Sequence, residues 1–186
     1  LGNFLINTKN IGIMMELNLR AALAKMNWRI LFTQYSEFLT KELIDIADVT
    51  ITLIGNTDYD RHSVGYSPYG VVEDRPPRSR FMTEEQEQAI YDNVANKGKG
   101  YLCLHNSICL PRPRIRKMLD YEWETHPPIQ NVQFRDFNPD HPISRGIEPF
   151  LVSDEQFFAK PHNPDHTVLF ESTGTRYLQK GISGWC

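Results

Sequence analysis

The chain has 186 residues, a length that suits one domain with a proper hydrophobic core. Hydrophobic residues make up 40% of it, too many for a disordered chain, yet no stretch nears the ~20 apolar residues that span a bilayer. Twenty Lys and Arg stand against 23 Asp and Glu, and the formal net charge of −3 argues against a protein devoted to nucleic acid.

Cys103, Cys109 and Cys186 match neither a metal spacing nor a disulfide framework, so a reducing, cytoplasmic compartment is expected. The opening LGNFLINTKNIG lacks the basic start and apolar run of a signal peptide. It also lacks an initiator Met, so a removed leader stays open as the alternative.

Residues 16–26 read as a helix: Leu19, Leu23 and Met26 recur three to four apart, and Ala21, Ala22 and Ala24 favour helix. Residues 28–33 (WRILFT) read as a strand. Thr40 is placed to cap a short helix through Ala47. Residues 49–55 (VTITLIG) form the clearest strand, β-branched and apolar throughout, as befits a strand covered on both faces. From 56 to 82 periodicity lapses; the stretch holds Tyr59, Tyr66, Tyr69, four arginines and Pro76-Pro77, and a loop of that length is expected to be functional or mobile.

Thr83 opens a capping box with Gln86, and Glu84 and Glu85 sit where the helix dipole favours anions. That helix is predicted to stop before Gly98, and residues 100–105 (GYLCLH) give a third buried strand. Strand, helix, strand, helix, strand predicts parallel strands with crossover helices. The expected fold class is therefore α/β, a three-layer sandwich with a mainly parallel sheet. Past Pro111 and Pro113 only a short helix near Arg114 fits, and strands at 129–137, 150–157 and 167–171 suggest an antiparallel extension or sheet edge.

Open α/β sheets bind ligands beyond the carboxyl ends of their strands. His105-Asn106-Ser107 stands at one such end, and His105 reads either as an acid, base or ligand or as a capping side chain. Asp154-Glu155 follows a strand-like run; with a His nearby it would supply acid/base groups or an oxygen and nitrogen metal site, and otherwise it is a solvated turn. His126 precedes two prolines and His141 lies in an Asp-His-Pro turn. His162 and His166 flank an exposed Asn-Pro-Asp loop, and the basic run 111–117 reads as solvated surface. Gly98-Lys99-Gly100 precedes a strand, so it is neither a P-loop nor a dinucleotide fingerprint.

GKGYLCLHNS, then THPPIQNVQFRDFNPDHPISRGI, then FLVSDEQFF resemble the ThuA-like, or trehalose-utilisation, family over residues 83–171. The shared elements, in order, are Gly100 to His105, His126-Pro127, Asp140 to Gly146, and the aromatic-flanked Asp154-Glu155. The resemblance implies a single domain over 1–186, similar in fold to class I glutamine amidotransferases and flavodoxin-like proteins. It also implies a role in carbohydrate metabolism, on a disaccharide such as trehalose or its 3-keto derivative.

On that footing the expected chemistry is proton transfer beside a sugar carbonyl, or water-assisted glycoside cleavage. His105 is the expected base or ligand and Glu155 the second acid/base group, with Asp154 orienting it. Asn106, Tyr59, Tyr66 and Tyr69 are expected to bind the sugar, the 56–82 loop to act as a lid, and His126 and His141 to hold a divalent metal. A non-catalytic sugar-binding or regulatory domain and a metal-dependent hydrolase are the alternatives. The expected partner is a small-molecule sugar, with neither nucleic acid nor membrane.

The sequence departs from the family pattern in two places. LGNFLINTKNIG is a poor version of the first strand of relatives, and the sequence stops at GISGWC before their Gly-His segment. Either a domain truncated at both ends or a diverged member, without the C-terminal active-site His, is expected, and an exposed sheet edge would favour a homo-oligomer. Amidotransferases carry a Cys on a tight turn followed closely by Gly; Cys103 lies inside its strand with no such Gly, so His105 or a neighbour holds that position.

Overall fold

A computed structural model of the chain describes residues 3–8, 13–26, 28–33, 38–53, 82–109 and 112–186. They divide into two compact units, Leu1–Met118 and Leu119–Cys186.

The first unit holds strands β1 (Asn3–Thr8), β2 (Arg29–Thr33), β3 (Val49–Leu53) and β4 (Gly100–Cys103), with helices α1 (Ile13–Ala24), α2 (Lys41–Ile46), α3 (Glu84–Ala95) and α4 (Pro113–Leu119). The four strands form one parallel sheet in the order β2-β1-β3-β4. The opening segment, expected to be a poor strand, forms β1 and pairs on both sides, Leu5 opposite Leu31 and opposite Thr50.

Helix α1 packs Leu19 and Leu23 on Ile51, and Trp28, Ile30, Phe32, Val49 and Leu104 close that cluster. Thr40 caps α2 by accepting the Leu43 N–H. Thr83 caps α3 with the reciprocal bonds expected of its sequence: its hydroxyl accepts the Gln86 N–H at 3.2 Å and the Gln86 amide oxygen accepts the Thr83 N–H at 2.8 Å. Helices α2 and α3 meet at Asp45, whose carboxylate pairs with Lys41 and accepts from Asn93 at 2.7 Å and Lys97 at 3.2 Å. Those hydrogen bonds, Lys41's first, hold the Asp45 carboxyl well below the usual carboxylate range.

The second unit is built from strands β5 (Tyr121–Thr125), β6 (Gln130–Arg135), β7 (Phe150–Asp154), β8 (Phe158–Pro161), β9 (Val168–Gly174) and β10 (Lys180–Trp185). They form an antiparallel sheet in the order β10-β9-β6-β7 and an antiparallel β5-β8 pair. Strand alternation puts Val132, Phe134, Phe150 and Phe170 on one face. Phe134 stacks on Phe150 at 5.1 Å, and Phe137 bridges Phe150 and Phe170.

The expected three-layer sandwich with a mainly parallel sheet, flavodoxin-like or class I glutamine amidotransferase-like, is therefore corrected. The parallel sheet takes four strands, while the other six described strands pair antiparallel in two small sheets. The physical reason lies after residue 119, where no described helix separates the strands, and consecutive strands joined by short links pair antiparallel. Among the described residues no helix is long and apolar enough to cross a membrane.

Candidate functional site

In the first unit, the Leu104 N–H reaches the Thr52 carbonyl at 2.9 Å and so extends the β3–β4 pairing by one residue. The backbone then turns sharply. His105 has φ of 47°, a left-handed conformation that a non-glycine residue adopts at a cost of about 1 kcal/mol or more. A single 3₁₀ turn, His105–Cys109, follows at once, with the Ser107 N–H on the Leu104 carbonyl. Strand, strained residue and helical turn together leave the His105 side chain exposed beyond the carboxyl end of β4. This is how a sharp strand-to-helix elbow presents a reactive side chain. Asn106 lies in the same turn, with its side chain outside the described residues, as are Tyr59, Tyr66 and Tyr69.

In the second unit, Thr125 pairs with Phe158, so the residue after β5 lies beside the link that leads into β8. That register brings His126 against residues 155–157. The His126 imidazole stacks on Phe157 at 4.9 Å and 22°, with Trp123 tilted beside it at 6.3 Å. Its Nδ1 lies 3.3 Å from the Pro127 carbonyl and 3.7 Å from Glu155 Oε1. A carbonyl only accepts, so the Nδ1–H is the donor there and a neutral ring carries its lone pair on Nε2. Asp154 accepts the Glu155 N–H at 2.8 Å, which makes it a backbone support for Glu155.

His141 has different neighbours. Its Nδ1 accepts the Ile143 N–H at 3.3 Å and its Nε2 lies 3.6 Å from Cys186 Sγ. It belongs to a turn across residues 138–146 that closes on itself. Asn138 Oδ1 accepts the Asp140 N–H, the buried Ser144 hydroxyl donates to the Asn138 carbonyl at 2.7 Å, and the His141 carbonyl accepts from Ser144 and Arg145. Among the described residues no group of three or more His, Cys, Asp and Glu side chains is placed to hold a metal ion. The His126–Glu155 pair offers two donors where a zinc site takes at least three from protein, and no step is routed through a metal here.

The site in the second unit is thus a pair, His126 and Glu155, with the His126 ring stacked on Phe157 and near Trp123. Trp123 carried no sequence expectation, and Phe157 entered only as an aromatic flanking Asp154-Glu155 at the end of the expected 150–157 strand. Trp123 sits mid-strand in YEWET and Phe157 beside the buried Phe158, positions that read as ordinary strand content.

A family model described as ThuA, trehalose utilisation, matches residues 69–184. No curated protein matches the sequence. The chain superimposes on a ThuA-like protein from Bacteroides uniformis with a TM-score of 0.65 at 15% identity, over 91% of this chain and 67% of that one. At that identity the likeness shows a shared fold alone.

Proposed function

This chain belongs to the ThuA, or trehalose-utilisation, family, and from that premise we propose that it performs acid/base chemistry on a disaccharide such as trehalose or on its 3-keto derivative. The observation that carries the reading is the His126–Glu155 pair, 3.7 Å apart and flanked by Phe157 and Trp123. In the 3-keto derivative the carbonyl acidifies the adjacent sugar C–H, and the ring-nitrogen lone pair is the group to take that proton as the C–H electron pair moves onto the carbonyl oxygen to give the enolate. Glu155, on the Nδ1 side, orients the ring and offsets the positive charge that His126 gains as Nε2 takes the proton. The Trp123 ring, partly exposed beside the pair, suits the apolar face of a pyranose. In the first unit His105, raised on its strained turn, is the second candidate for acid/base work.

The test is turnover of 3-keto-trehalose by wild type and by the His126→Ala, Glu155→Gln and His105→Ala variants. Loss of about 10²-fold or more in kcat/KM for the first two supports the reading. Unchanged turnover in all three overturns it. The exposed Trp123 ring also favours a second reading, a sugar-binding domain without catalysis. Calorimetric binding of trehalose with no product formed would establish that instead.

A further inference from the structure

Three residues link β7 to β8, and only the middle one turns inward. Gln156 is 2% exposed, while Glu155 and Phe157 on either side of it are half-buried and both face His126. The Gln156 amide nitrogen donates to the Ser172 carbonyl at 3.1 Å, the Ser172 hydroxyl at 3.1 Å and the Gln179 carbonyl at 3.0 Å. Two of those partners only accept, so the NH₂ group must face them and the amide orientation is fixed by its neighbours. The Ser172 hydroxyl, accepting from Gln156, also shares a hydrogen bond with the Ser183 hydroxyl 2.6 Å away. Gly181 makes room on β10: a Cβ there would lie 2.8 Å from the Phe158 ring that packs next to the anchor.

We propose that Gln156 is the positioning residue of the His126–Glu155 pair. Its side chain pins the middle of the 155–157 link to β9 and to the segment entering β10. With the middle residue fixed, its neighbours are held outward: Glu155 at the Nδ1 side of the imidazole and Phe157 flat against the ring. Gln156 touches no substrate and acts only through those two residues. The inference rests on the functional reading above in assigning that pair its chemistry, but the geometric claim is tested separately.

The direct readout is the ring-current shift that Phe157 imposes on the His126 ring protons, followed by NMR and assigned by its disappearance in His126→Ala. The shift should collapse in Gln156→Ala and in Gln156→Met, which keeps the side-chain length but has no donor. It should fall part way in Ser172→Ala, which removes one of three acceptors, so the test stands even if the Gln156 variants do not fold. Val132→Ala, a buried β6 substitution that destabilises the same unit, should leave the shift intact; a merely structural role would move both. On 3-keto-trehalose, Gln156→Ala should lower kcat by about a hundredfold, as a misplacement near 1 Å does, with little change in KM. An unaltered His126 shift in the folded Gln156 variants, or in Ser172→Ala where those do not fold, overturns the proposal. A wild type that makes no product overturns the functional reading instead, and the NMR comparison still decides the positioning claim.

Discussion

The buried carboxylate of Glu87 in α3 accepts the backbone N–H of Arg114 at 2.7 Å, and the Ile115 N–H at 3.3 Å. Helix α4 begins at Pro113, which has no N–H, so Arg114 and Ile115 carry the first unsatisfied donors of that helix. A cap would normally come from the preceding side chain, but that residue is Arg112, which has no acceptor. Glu87 supplies the cap from another helix, and its second oxygen faces the Arg114 guanidinium at 3.4 Å.

Glu87→Ala should therefore lower stability by about 3 kcal/mol, since it leaves two helix donors without acceptors and removes a buried charge partner. Glu87→Gln keeps one acceptor and should fall between that variant and wild type. Urea unfolding midpoints at constant m-value measure both.

The acid limb of the stability curve should depend on Asp45. Its carboxyl is depressed in the folded state by Lys41, Asn93 and Lys97. A depressed carboxylate contributes in full above its unfolded value, about 3.9, and loses that contribution as pH falls through the lower folded value. Melting temperatures recorded from pH 7 to pH 2 should thus decline below about pH 4, and Asp45→Asn should flatten that decline.

Lys180 is the opposite case: hydrogen bonds to Glu171 and then Asp136 raise its pKa in the folded state. Its contribution is complete below the unfolded value of about 10.4 and is lost as pH climbs through the raised one. Lys180→Met should remove the part of the alkaline limb that wild type shows above pH ~10. The same melts extended upward would show it.

Much of the first unit was readable because its signals are local. Thr83 and Gln86 are three residues apart and form their capping box within one turn. Residues 49–53 declare a strand by composition alone. The second unit was harder for the opposite reason. Strand β5 is YEWET, with charges on alternate positions, β8 ends in Pro161, and β10 carries Gly181 and Gly184, all weak strand signals. Without those three strands the antiparallel part was expected only as an extension or edge of a mainly parallel sheet. The His126–Glu155 contact was equally hidden, because it follows from Thr125 pairing with Phe158 across thirty-three positions of sequence. His126 and Glu155 were each singled out, but as metal ligand and acid/base group, not as partners.

Gly184 should tolerate no side chain. A Cβ at that position would lie 2.3 Å from the Phe170 ring, which is itself held by Phe134 and Phe137. Gly184→Ala should cost about 1–3 kcal/mol by overpacking, and near-UV circular dichroism should register the displaced rings.

His105 should separate stability from activity. Its φ of 47° suits glycine, so His105→Gly should be more stable than His105→Ala by about 1 kcal/mol, although both lack the imidazole. Equal stability of the two variants in thermal melts would show that the turn relaxes once the His side chain is gone.

Several polar groups of residues 138–146 are occupied with one another: Ser144 with the Asn138 carbonyl, Asn138 with Asp140, His141 with Ile143. A protein inheriting this stretch inherits a way of bending the chain, independent of the chemistry proposed for His126 and Glu155. Kinship and chemistry are thereby written in different letters. A homologue with the bend intact and the residue corresponding to His126 or Glu155 replaced would keep its architecture and change its trade.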